Sequence, residues 1–127
     1  SIVGGGPGGP GSGPIIVDLG GEGFKTAAEQ ERGWVSTPPG AIVQNGPWTM
    51  EPDWGGKPMT DVLAEGFPVV ISQGDVLPFK TGSVDVVMTN GVPIDRGTTF
   101  LGPSYDTTEI MRIKKPDGTW LDNGTVR

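Results

Sequence analysis

The chain contains neither cysteine nor histidine. Without thiols there are no disulfides, thiolate metal ligands or cysteine nucleophiles. Without imidazole the general base of most hydrolytic triads and the commonest metal ligand are gone, so no metal is expected. A cysteine-free chain is compatible with either side of a membrane, which leaves the compartment open between the cytoplasm and secretion as part of a larger chain. Basic residues are also few: nine Lys and Arg stand against fifteen Asp and Glu, a net charge of −6. Binding through phosphates leans on clustered cations that release counterions, so a nucleic-acid partner is a poor first expectation. Only Arg112, Lys114 and Lys115 cluster, near a predicted helix end where cations are favoured for local reasons. Long apolar runs are missing too. None approaches the length that spans a bilayer, and no signal peptide is read, so the chain is expected to be soluble.

Apolar residues make up only 34% of the chain, whereas glycine (23) and proline (13) together exceed a quarter of its 127 residues. Such a composition signals low complexity unless the breakers separate compact apolar runs, and here they do. Residues 1–14, SIVGGGPGGPGSGP, read as a Gly/Pro-rich flexible linker that is excluded from the fold, and residues 15–127 as one domain. The continuous run from Ile15 to Leu19, with Asp18 as its one acid, fits a strand buried on both faces of a parallel sheet. Residues 25–32 form two short helical turns ended by Gly33, and Ala41-Ile42-Val43 forms a second strand. Residues 48–57 make a structured loop. A helix is predicted over 58–66, with Pro58 in its first turn and Gly66 just past its end. Residues 67–72 and 84–89 are the third and fourth strands. Ser104 or Asp106 caps a further helix whose apolar face is Tyr105, Ile110 and Ile113, with Glu109 placed to complete a capping box with Asp106. Residues 115–118 read as a turn, and 119–121 as a last short strand. This alternation predicts an α/β fold with a mainly parallel sheet of about five short strands and few, short helices.

Three segments carry a more specific signal. Ile15-Ile16-Val17-Asp18-Leu19-Gly20-Gly21-Glu22-Gly23 is a strand ending in an acid and a glycine-rich turn. Residues 74–90, opening Gly74-Asp75-Val76-Leu77-Pro78-Phe79, run from an acid through a Leu-Pro-Phe loop into a strand that ends at Asn90. Residues 109–121 are a helix, a Lys-Pro-Asp-Gly turn and a strand. In this order they resemble the class I, Rossmann-like S-adenosylmethionine-dependent methyltransferases. The resemblance implies S-adenosylmethionine as cofactor and a nucleotide-like small molecule as partner. It implies donor contacts at Asp18, Gly20, Gly21 and Gly23, where glycine lets the backbone approach a ligand. It further places the adenine at Asp75 and Val76, the acceptor beside Asn90 or Tyr105, and a nearby base at Glu22.

The chain departs from the family in several places. Gly20 and Gly21 are adjacent, with Glu22 where a third evenly spaced glycine is usual. Gln44 and Asn45 stand where the second strand normally ends in an acid that grips the ribose. The helix after the first loop is short. The chain ends at Arg127, so the usual C-terminal antiparallel strands are expected to be lacking, and the domain reads as trimmed. Each candidate also has a structural alternative. On that alternative Asp18 braces the glycine turn, the glycines serve turn geometry alone, and Asp75 is a turn acid. Asn90-Gly91 is then a simple turn, Asp85 bonds backbone groups, and Trp48 and Trp54 pack or line a pocket. Methyl transfer to an unknown acceptor is the leading function. The alternatives are a C-terminal toxin or effector module of a large secreted bacterial protein, which would imply a cognate immunity protein, and a non-catalytic pseudoenzyme whose pocket is plugged by Trp48 or Trp54.

Overall fold

The computed structural model describes residues 2–3 and 13–127. In chain order the elements are β1 (Ile2–Val3), β2 (Ile16–Leu19), α1 (Ala27–Glu31), β3 (Ile42–Asn45), a 3-10 turn (Pro47–Met50), α2 (Met59–Ala64), β4 (Val69–Ile71) and β5 (Val84–Thr89). The short β6 (Thr98–Thr99) and β7 (Gly102–Pro103) follow, then α3 (Thr107–Ile113), β8 (Lys114–Asp122) and β9 (Thr125–Val126). Seven strands form one sheet in the order β1-β4-β3-β2-β5-β8-β9, while β6 and β7 pair separately. The five inner strands are parallel to their neighbours, and β1 and β9 close the two edges antiparallel. The fold is therefore α/β with a mainly parallel sheet and few helices.

Local chemistry explains most of these elements. In β2, Val17 and Leu19 point to one face and are fully buried, while Asp18 points to the other. Thr26 and Glu29 form a reciprocal capping box that starts α1. Pro58, extended, precedes α2 as its N-cap rather than lying in its first turn. Met59 and Val62 of α2 pack on Val43, Phe67 and Val69. Ile110 and Ile113 of α3 join a second cluster with Val17, Leu19, Val87 and Trp120. Apolar side chains from both clusters cover the sheet, as a parallel sheet requires.

Several expectations are corrected. Ile2 and Val3, assigned to the linker, pair with Val70 and Val69 of β4; the rest of the linker reading, apart from Gly13 and Pro14, lies outside the described residues. A short antiparallel strand, β9, does follow β8, turned by Asn123-Gly124 with both residues at positive φ. Residues 115–118 are not a turn between helix and strand. The extended chain of β8 starts at Lys114, opposite Val84, and Thr119 is opposite Val86, so the intervening residues bulge from the ladder. Asp106 caps α3 through Thr108 N–H, but Glu109 does not complete a box. It accepts from Leu77 N–H at 2.8 Å and pairs with Arg112 instead.

From β2 the chain builds outward through β3 and β4, then returns to β5 on the opposite side of β2 and continues to β8. The connections leaving β2 and β5 therefore diverge, and a crevice opens beyond their carboxyl ends.

Candidate functional site

A cavity of about 420 Å³ occupies that crevice. Asp18, Gly20, Gly21 and Glu22 line it from the end of β2, Asn90 and Gly91 from the end of β5, and Asn123 from the β8–β9 turn. Lys25, Trp34 and Val35 contribute from the segment around α1. Five of the nine site residues read from the sequence thus meet in one place: Asp18, Gly20, Gly21, Glu22 and Asn90.

Asp18 is the chemical centre of this wall. It is 3% exposed, and its Oδ2 accepts a 2.7 Å hydrogen bond from the Thr37 hydroxyl. Burial pushes its pKa up to about 6; the Thr37 hydroxyl and Lys25 oppose the shift. Thr37 also accepts from Gly23 N–H at 3.0 Å, and its own N–H donates to the Gly23 carbonyl, so the segment after α1 is laced to the glycine turn. Gly21 is required by close approach: a Cβ there would lie 2.6 Å from Asp18 Oδ2. Glu22 is already engaged, accepting from Lys57 N–H at 2.8 Å with Lys25 Nζ 3.6 Å away. That arrangement suits bracing the turn better than taking a proton.

The opposite side of the glycine turn is closed. Tyr105 is buried, and its hydroxyl donates to Gln44 Oε1 at 2.7 Å. Burial raises the phenol pKa above its ordinary value. The Tyr105 ring packs within 3.1 Å of where a Gly74 Cβ would stand, and Val92 within 2.5 Å of a Gly20 Cβ. Gln44 Nε2 donates to the Ser72 carbonyl, and Asn45 Nδ2 to the Gly21 carbonyl at 3.0 Å. Gln44 and Asn45, which end β3, are therefore spent on the fold. Tyr105 lies outside the cavity and does not face it as the acceptor reading expects.

Gly23, Asp75 and Val76 also lie off the cavity wall. Asp75 and Val76 sit in the exposed turn after β4, with Val76 66% exposed. Asp85 bonds backbone, accepting from Ile15 N–H at 2.8 Å, and pairs with Lys115; both interactions hold its pKa below the usual carboxylate range. Trp48 packs beside Gly46, and Trp54 donates to the Lys57 carbonyl at 3.0 Å. Neither plugs the cavity; the tryptophan at its wall is Trp34.

Lys25, Trp34, Val35, Gly91 and Asn123 are cavity residues that sequence reasoning missed. Asn123-Gly124 carried a hairpin signal, but nothing local says that this turn returns to the end of β5, where Asn123 Oδ1 accepts from Gly91 N–H at 2.8 Å. A wider, open recess of about 750 Å³ adjoins, sharing Gly91 and Asn123 and lined beyond them by Arg96, Asp122 and Arg127. Among the described residues no group of three or more acids is placed to hold a metal ion, and no helix is long and apolar enough to cross a membrane. The chain matches no protein-family model, no curated protein and no solved structure.

Proposed function

We propose that the domain is a Rossmann-like module of the S-adenosylmethionine-dependent methyltransferase type, holding a nucleotide-like ligand at the crevice between β2 and β5. The observation that carries this reading is the convergence of Asp18, Gly20, Gly21 and Asn90 on one cavity at the point where the strand order reverses. The volume of about 420 Å³ falls within the usual range for small-molecule sites. Asp18, with lone pairs left beyond the Thr37 bond, suits hydroxyl donors of a ribose. The bare backbone of Gly20 and Gly21 lets a ligand approach closely.

When bound, S-adenosylmethionine supplies an electrophilic methyl group on a sulfonium. In-line transfer of such a group asks the protein mainly for positioning and exclusion of water. Asn90, half-buried at the end of β5, and the adjoining open recess suit an acceptor held beside the first ligand. The lack of histidine is no obstacle to that chemistry.

One observation favours a second reading. The side of the glycine turn at Gln44 is filled by Tyr105, as in a pseudoenzyme or effector module that binds a ligand without transferring a methyl group. Calorimetric titration with S-adenosylmethionine and S-adenosylhomocysteine tests the first reading. Micromolar binding, weakened at least ~10-fold by Asp18→Asn through loss of a charge-assisted hydrogen bond, is expected. Absence of heat at millimolar ligand overturns it and leaves the second.

A further inference from the structure

We infer that Trp34 is the stacking wall for the nucleobase of the bound ligand, on the opposite side of the glycine turn from the Asp75 loop. This inference rests on the nucleotide-binding reading above and adds where the base lies. On the Asp75 side there is no room: Tyr105 is packed against Gly74 and bonded to Gln44, and Asp75 and Val76 take no part in the cavity. A base entering the 420 Å³ cavity must meet one of its own walls.

Trp34 is the one aromatic residue on those walls, and its side chain is half exposed (50%) although it belongs to a segment tied down by Thr37. A large aromatic surface left open at the rim of a concave site is the informative kind of exposure. Lys25 Nζ and Arg32 Cζ lie 5.1 and 5.2 Å from the ring centroid, within cation–π range. Lys25 shares the cavity, where its ammonium meets the anionic tail of a nucleoside derivative. Asp18 lies in the same cavity as acceptor for the sugar hydroxyls. Stacking platform, hydroxyl acceptor and cation together select a nucleoside carrying a carboxylate or phosphate.

The test is tryptophan-fluorescence and calorimetric titration of the full chain with adenosine, S-adenosylhomocysteine and adenosine 5′-monophosphate. The wild type is compared with Trp34→Leu, Trp34→Phe and Tyr105→Ala. Stacking predicts at least ~10-fold weaker binding for Trp34→Leu, substantial rescue by Trp34→Phe, and ligand quenching that disappears with the indole. Trp34 is exposed, so unchanged melting of both variants is expected and shows that the fold is intact. Binding that survives Trp34→Leu, or that tightens in Tyr105→Ala while ignoring Trp34, overturns this placement and leaves nucleotide binding standing. A wild-type chain that binds none of the three ligands at millimolar concentration overturns both.

Discussion

At the scale of single residues, the cavity depends on a carboxyl group in a place that disfavours its charge. Asp18 is buried beneath the segment after α1, and its pKa of about 6 lies above the ordinary 3.8. The folded chain therefore binds more protons than the unfolded chain between these values, and stability falls as pH rises through that window. The gap corresponds to about 3 kcal/mol of stability that is present in full below pH ~4 and lost above pH ~6. Asp18→Asn keeps an acceptor for Thr37 and removes the charge. Urea unfolding at pH 4.5 and pH 7 should show the variant gaining on the wild type at the higher pH; equal differences at the two values would contradict the burial cost. Such a cost, kept at a cavity wall, is the pattern expected of a group retained for a ligand.

At the scale of elements, α3 holds its neighbours through one ion pair. Arg112 donates to the carbonyls of Leu77 and Phe79 at 2.8 and 2.9 Å, while Glu109 accepts from Leu77 N–H. The pair ties the Leu-Pro-Phe loop to the helix and holds the Glu109 carboxyl below its usual pKa. Arg112→Met should cost roughly 1–3 kcal/mol in urea unfolding, discounted toward the lower end by partial exposure. Arg112→Lys should recover little, because an ammonium lacks the fork that reaches two carbonyls. Full recovery by lysine would point to a simple charge effect. The Leu-Pro-Phe loop was legible as a loop. Its attachment was not, because the sequence offered Glu109 an adequate local role in a capping box and gave no sign of Leu77, 32 residues away.

At the scale of the whole molecule, the parallel strands leave two edges, β4 and β8, and the chain covers them with β1 and β9. Ile2 and Val3 pair with β4, whose backbone would otherwise present unpaired donors and acceptors to other chains. Deleting residues 1–12 should raise the weight-average mass in sedimentation velocity at matched concentration; an unchanged distribution would show that the edge is protected in another way. The net charge of −6, to which residues 1–12 contribute no charged side chain, opposes association but does not pair the β4 edge that the deletion exposes.

The strands β2 and β5, the short helix α1 and the glycine turn after Asp18 were determined by the sequence alone. In each the decisive interaction is local: continuous apolar runs, a Thr-to-Glu spacing of three, and a backbone that tolerates no Cβ. The same local logic brought Asp18, Gly20, Gly21, Glu22 and Asn90 to one place, because an acid and a glycine turn after one strand and an Asn after its neighbour share the sheet's carboxyl edge. Only the tertiary structure decided which side of that turn stays open. Tyr105 reached Gln44 across 61 residues and closed one side, while Thr37 drew the chain back over Asp18 and set Trp34 at the other. Both closures rest on long-range hydrogen bonds made by a side chain, and no spacing or periodicity in a linear chain encodes which partner such a group will find.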